Sequence, residues 1–344
     1  MLHVGLDLSR RRLDFHALDE RGVTVAVDAT PPDADGLAAL ARRFAGAQVR
    51  AAIESMNGAR FVHDQLELAG WQVDIADAAR VKGLAPLACK TDRIDARVLA
   101  ELSWRELVPA VWLPDPVVRA ERERARFRLH LVRHRTSLKN RVHATLLAHG
   151  VPCPVSDLFG VSGRALLERM QLPEVWRQTL EASLRLIDEL DREVEGCERE
   201  LRALGAGHRY VPQLLTLPGL GWVLAYTIAA EIGDIGRFAS PEKLAGYTGL
   251  CPRVYQSGES DRRGSLSKQG PRYLRWALIE ATIHACRHPA YARRYQQTRR
   301  RLGKQRGPKV ARVQLARTLA HAIWHMLSRN QPFAPTSATD PLAA

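Results

Sequence analysis

The chain has 344 residues and a formal charge of +14, with 51 lysines and arginines against 37 acidic residues. This length holds two or three domains with their own cores, and the 46% hydrophobic and 26% charged content is that of a soluble globular protein. The charge points to a polyanionic partner, nucleic acid ahead of an anionic membrane surface. Five scattered cysteines with no C-x-x-C pair argue against a zinc ribbon or a secreted disulfide scaffold and fit a reducing cytoplasm. The N-terminal segment MLHVGLDLSRRR has no apolar core of a secretory signal, and no stretch approaches the roughly 20 apolar residues that span a bilayer.

Residues 1–112 read as alternating strands and helices. Strands are expected at 4–9, 13–18 and 23–27, with a turn at 19–22, which makes an antiparallel meander. A helix over 35–44, a strand at 49–53, a helix over 60–69 and a strand at 71–75 follow. Helices over 78–86 and 91–107 close the region, with Thr91 as N-cap. The order β-β-β-α-β-α-β-α is that of a ribonuclease-H-like fold.

Strand signals then vanish. Residues 113–210 read as a helical middle region. A basic helix over 116–149 carries eight arginines and Lys139, with Phe127, Leu131, Leu138, Val142 and Leu146 along one face. A second helix, 174–204, places Trp176, Leu180, Ser183, Ile187, Leu190, Val194, Cys197, Leu201 and Leu204 at alternating spacings of four and three. That is a coiled-coil seam. It serves a helical hairpin folded on itself or an association between chains. Residues 211–330 read as a third, mainly helical region, and 331–344 as a disordered tail. The fold class is therefore α/β plus all-α.

Four carboxylates stand out in the first region: Asp7, Glu54, Asp92 and Asp95. Asp92 and Asp95 are three apart on one helix and share a face. In a ribonuclease-H-like sheet the first and fourth strands are neighbours, so Asp7 and Glu54 end side by side near that helix. Four hard oxygen donors suit Mg²⁺ or Mn²⁺ rather than zinc, and two such ions stabilise entering and leaving oxygens at a phosphate. The plainer alternative pairs Asp92 with Arg93 or Arg97 and makes Glu54 a loop cap. In the third region, GLCPRVYQSGESDRRGSLSKQG reads as a Ser-, Gly- and Arg-rich loop suited to phosphate contact. One of its serines, Ser257, Ser260, Ser265 or Ser267, donates to a phosphate or attacks one. No G-x-S-x-G elbow or triad spacing marks a hydrolase.

The segments VGLDLSRRRLDFHAL, AAIESMNGARF, DAARVKGLA and KTDRIDARVLAEL resemble the N-terminal RuvC-like domain of the insertion-sequence 110 transposases. LLTLPGLGWVLAYTIAAEIGDIGRF, KLAGYTGLCPRVYQSGES and SLSKQGPRYLRWAL resemble their C-terminal transposase domain. The resemblance runs in order over nearly the whole chain. It implies an RNA-guided DNA recombinase. Asp7, Glu54, Asp92 and Asp95 would hold Mg²⁺. Ser257 would form a covalent phosphoserine link to DNA. A structured non-coding guide RNA would pair with donor and target DNA, and the protein would act as a tetramer built from two dimers. The rival readings are a RuvC-like junction nuclease that uses water, and a non-catalytic binder of RNA or DNA.

Three smaller expectations follow. LPGLG at 217–221 resembles a helix-hairpin-helix turn that binds phosphate through glycine amides, or is an ordinary linking turn. The basic stretches 119–141 and 293–312 are expected to track a nucleic-acid backbone. Tyr291, Tyr295 and Trp324 stack on bases or, more commonly for such residues, pack in the core.

Overall fold

The computed structural model describes residues 1–84, 92–257 and 260–334. The chain divides into two compact units, Met1–Leu113 and Pro114–Ala344.

The first unit opens with β1 (Leu2–Leu8), β2 (Leu13–Leu18) and β3 (Thr24–Thr30). The β2–β3 turn forms because the Asp19 carboxylate accepts from the N–H groups of Arg21 at 2.9 Å and Val23 at 2.8 Å, an Asx-type turn. Then come α1 (Ala34–Arg43), β4 (Val49–Glu54), α2 (Ala59–Leu68), β5 (Gln72–Ala76), α3 (Ala78–Leu84) and α4 (Asp92–Trp104). The α1 N-cap is Asp33, whose side chain accepts from the Gly36 N–H. The expected cap Thr91 lies outside the described residues. The sheet order is β3-β2-β1-β4-β5. β1 to β3 form the antiparallel meander, and β1, β4 and β5 run parallel, so the first and fourth strands are neighbours.

Alternation along each strand decides which face meets which helix. Val4, Leu6, Leu13, Phe15, Ala51 and Ile53 share a core with Leu37 and Leu40 of α1 and Val62 and Leu66 of α2. The other face is covered by α4, through contacts such as Leu99 with Ala52 and Ala76. His3 and His16 belong to this second face. The His3 ring lies 3.2 Å from Ser103 Oγ of α4. Burial, then the Arg50 charge, holds the His3 pKa below its ordinary range. Burial, then Arg97, does the same for His16, against a smaller opposing effect of Glu101. The unfolded chain thus takes up protons near the ordinary value of about 6.5 while the folded unit resists them. Stability is therefore expected to fall as pH drops below about 6.5. Thermal melts at pH 7.5 and 5.5 check this. A His3→Gln/His16→Gln variant with an unchanged pH dependence would contradict the assignment.

The second unit begins with α5 (Pro116–Ala148), α6 (Val161–Arg169) and α7 (Glu174–Ala206). α5 and α7 pack as an antiparallel hairpin within the chain, laced by Arg124–Glu200 at 2.8 Å, Arg128–Glu198 and Arg135–Asp191. The heptad seam is used here: Leu180, Ser183, Ile187, Val194 and Leu201 are buried. Ser183 is tolerated because its hydroxyl donates to the Thr179 carbonyl at 2.7 Å. The seam's ends, Trp176 and Leu204, are exposed. On α5 the expected apolar face needs correction, because Phe127 is exposed while Arg122 is buried.

Next come α8 (Val211–Leu214), α9 (Trp222–Ile232), α10 (Pro241–Tyr247), the hairpin β6 (Pro252–Ser257) and β7 (Ser260–Leu266), α11 (Arg272–Ala285), α12 (Pro289–Arg301) and α13 (Gly303–Arg329). The core joins Leu201 and Ala125 to α9, α11 and α13. The expected middle and C-terminal regions therefore share one core. Tyr291 and Tyr295 are buried in it, and the Trp324 indole N–H donates to the Phe238 carbonyl at 2.9 Å. All three aromatics pack rather than present a stacking surface. In the turn at 217–221, Gly219 has φ +90, and a Cβ there would lie 2.4 Å from the Ala281 carbonyl oxygen. This glycine is required by close packing on α11. The expected tail is ordered as far as Phe333, whose N–H donates to Thr216 Oγ1 at 2.8 Å and whose ring meets Tyr291; residues 335–344 lie outside the described residues.

Candidate active site

Gly5 sets the geometry of the first constellation. A Cβ on it would lie 1.8 Å from the Ala96 carbonyl oxygen and 2.4 Å from the Ala100 nitrogen, so β1 and α4 touch backbone to backbone. Asp7 follows Gly5 by two residues and projects from the same face. On β4, Ala52 packs against Leu99 of α4, and Glu54 follows by two, again on that face. The β1–β4 register pairs Leu6 with Ile53, which carries Asp7 and Glu54 to the same end of neighbouring strands. α4 meets His3 through Ser103 and Gly5 through Ala96. It therefore runs so that its first turn, with Asp95, lies toward the Asp7 end of β1. Asp7, Glu54 and Asp95 are each partly exposed. The α4 backbone begins at Asp92, but its side chain lies outside the description.

One carboxylate on this face was not anticipated. Asp14 of β2 is the cross-strand partner of Asp7 and is only 3% exposed. Arg12 donates to its Oδ1 from Nε at 3.1 Å and Nη2 at 2.8 Å. The signal was present in LDFHAL, where Asp14 and His16 alternate with apolar residues that face the core.

The donor set is all carboxylate oxygen, which suits a hard divalent cation. Among the described residues no group of three or more His, Cys, Asp or Glu side chains closes into a ligand cluster. Asp7, Glu54 and Asp95 share a face and an end of the sheet without completing a coordination shell by themselves.

The second constellation is not a loop. Ser257 ends β6, and Ser260 begins β7 as its cross-strand partner. The base of this hairpin is tied to the helical core: Ser267 N–H donates to the Cys251 carbonyl at 2.9 Å, Lys268 N–H to Gly249 at 3.1 Å, and Arg275 Nη1 to the Thr248 carbonyl at 3.1 Å. Val254 and Tyr255 are exposed, so the hairpin projects from the core with Ser257 at its far end. Gly258 and Glu259, and the side chains of 256–263, lie outside the description.

The basic helix is also corrected. Five of its arginines are engaged within the chain. Arg124, Arg128 and Arg135 pair across the hairpin, and Arg122 and Arg126 reach the fully buried Glu231. These groups stabilise the fold rather than line a free basic surface.

A family model described as Transposase IS116/IS110/IS902 family matches residues 211–297, and a DEDD-type IS110 transposase model matches residues 4–150. Together they span well over half of the chain, in order. The chain belongs to the IS116/IS110/IS902 transposase family. A protein named "Probable family 20 transposase" from Pseudomonas aeruginosa is 28% identical over 353 residues, covering 96% of this chain and 98% of its own length. The transposase for insertion sequence element IS1328 of Yersinia enterocolitica is 27% identical over 292 residues, 80% of this chain and 81% of that protein. A pilin gene-inverting protein of Moraxella bovis is 31% identical over 123 residues, 35% of this chain and 37% of that protein. No helix among the described residues of this family member is long and apolar enough to cross a membrane.

Proposed function

We propose that this transposase is a DNA recombinase of an insertion element that cuts and exchanges strands through a serine–phosphate ester. Ser257 is the nucleophile. Asp7, Glu54, Asp92 and Asp95 hold Mg²⁺ or Mn²⁺. A structured guide RNA selects donor and target DNA, and the working form is a tetramer of two dimers in the cytoplasm. One observation carries the reading: each constellation falls inside its own family match, the four carboxylates within residues 4–150 and the serine within 211–297.

In the proposed step Ser257 Oγ bonds to phosphorus, the P–O3′ bond breaks, and the serine proton ends on the released 3′-hydroxyl. The ester keeps the phosphate activated, so attack by a different 3′-hydroxyl rejoins the strands and returns the serine. A divalent cation on the carboxylates supplies Lewis-acid stabilisation of phosphate oxygen charge.

The test is to incubate the full chain with its flanking DNA and RNA and isolate detergent-resistant protein–DNA adducts. Wild type is expected to form them with Mg²⁺ and not with EDTA, and Ser257→Ala is expected to form none. Cleaved DNA without adducts in both proteins would favour the water-using nuclease. Adducts retained by Ser257→Ala would move the nucleophile to another hydroxyl, Ser260 first.

A further inference from the structure

The C-terminal helices form a half-open cavity of about 390 Å³ lined by Arg294, Gln297, Thr298, Arg301 and Gln314. The first four occur at i, i+3, i+4 and i+7 along α12, one continuous stripe of a helix. In an antiparallel helix pair that stripe is ordinarily apolar where it faces the partner. Here it carries two guanidiniums, an amide and a hydroxyl, opposite the amide of Gln314 on α13. The buried edge of the helix, Tyr291, Tyr295 and Thr298, adjoins this stripe and shares Thr298 with it.

Thr298 is 8% exposed, and its hydroxyl donates to Gln314 Oε1 at 2.9 Å. That bond fixes the Gln314 amide with its carbonyl engaged, which leaves its N–H groups as donors to the cavity. Arg294, Gln297 and Arg301 are exposed, so the mouth is open. Among the described residues no carboxylate lines the cavity, and from Ala281 to Thr339 the sequence has no acidic residue.

We propose that this cavity holds one nucleotide of a nucleic-acid strand. Arg294 and Arg301 clamp the phosphodiester, as paired guanidiniums do. The volume exceeds what a bare phosphate fills and lies within the range of small-ligand sites. Gln297, with both donor and acceptor, meets a base edge. The inference takes its nucleic-acid partner from the reading above, but the cavity shares no residue with either catalytic constellation.

The test is fluorescence anisotropy with labelled single-stranded DNA and RNA of one sequence, in EDTA, using the full chain. Arg294→Ala/Arg301→Ala is compared with Arg293→Ala/Arg300→Ala, a pair on the same helix that is exposed but does not line the cavity. The cavity pair is expected to bind at least about tenfold more weakly and to lower the salt slope by about 1; the control pair should change affinity much less. Loss with either polymer carries the proposal, and the polymer affected names the strand held. Equal losses from both pairs would reduce the site to diffuse charge and overturn it, as would wild-type binding by the cavity pair. A second variant, Gln314→Leu, removes no charge and should also weaken binding; an unaltered affinity would remove the amide from the site. Thermal melts confirm that each variant is folded. Binding is read without cleavage, so failure here leaves the serine chemistry standing, and failure of the adduct test leaves this cavity standing.

Discussion

Gly5→Ala is expected to cost about 1–3 kcal/mol or more of stability and to lower adduct formation at least about a hundredfold. The added methyl would sit 1.8 Å from the Ala96 carbonyl oxygen and 2.4 Å from the Ala100 nitrogen. Both are backbone atoms of a regular helix, so no side-chain rotation relieves the clash. β1 is central in the sheet, flanked by β2 and β4, and it cannot retreat without breaking a ladder. α4 must lift instead. Asp95 stands next to Ala96, and Asp7 is two residues from Gly5, so the same displacement separates carboxylates that this contact brings toward one end of the sheet. Structural and functional losses therefore come from one cause. The check is a thermal melt together with the adduct assay, using Gly83→Ala as control, because a Cβ on Gly83 meets nothing within 4 Å. A Gly5→Ala protein that melts and reacts like wild type would show that α4 does not position the site.

The first unit was legible because its strands obey simple alternation. VGLDLS puts Val4 and Leu6 on the core side, with Gly5 and Asp7 on the other, and the short turns force the meander. Helix and strand positions follow within a few residues. The carboxylate face followed from the same alternation, since Asp7 and Glu54 continue positions that face α4. Asp14 escaped notice because a buried carboxylate in an apolar strand reads as an exception until Arg12 is seen holding it. The β6–β7 hairpin was not legible. Its second strand, SDRRGSL, has no apolar alternation, because Val254 and Tyr255 on the first strand are exposed and the pairing rests on backbone hydrogen bonds. Arginines were the other blind spot. Periodicity placed Phe127 inside and Arg122 outside, and the structure reverses both because the partner of Arg122 lies more than a hundred residues away. Long-range pairing of that kind leaves no trace in local spacing.

That pairing makes the second large prediction. Glu231 is 0% exposed and sits in the last turn of α9. Arg126 grips its carboxylate from Nε at 2.7 Å and Nη2 at 2.9 Å. Arg122 reaches the same carboxylate at 3.8 Å and donates to the Ala230 carbonyl at 2.9 Å and the Glu231 carbonyl at 2.6 Å. Those carbonyls have no partner further along the helix, so Arg122 also serves as a cationic C-terminal cap. Burial alone would lower the Arg126 pKa, yet the Glu231 carboxylate raises it above the ordinary guanidinium value. Removing one partner of such a group strands the others, which typically costs about 3–5 kcal/mol. Glu231→Ala is therefore expected to lower the melting temperature by about 10 °C in a unit of this size. Glu231→Gln should lose less, because its amide keeps one acceptor for Arg126. The decisive measurement is the double-mutant cycle: Glu231→Ala/Arg126→Ala should be more stable than the sum of the two single losses, since the second change removes the charge that the first left unpaired. Strict additivity would mean that the Arg126 guanidinium is solvated in the variant and that its ion pair with Glu231 adds nothing to the contact between α5 and α9.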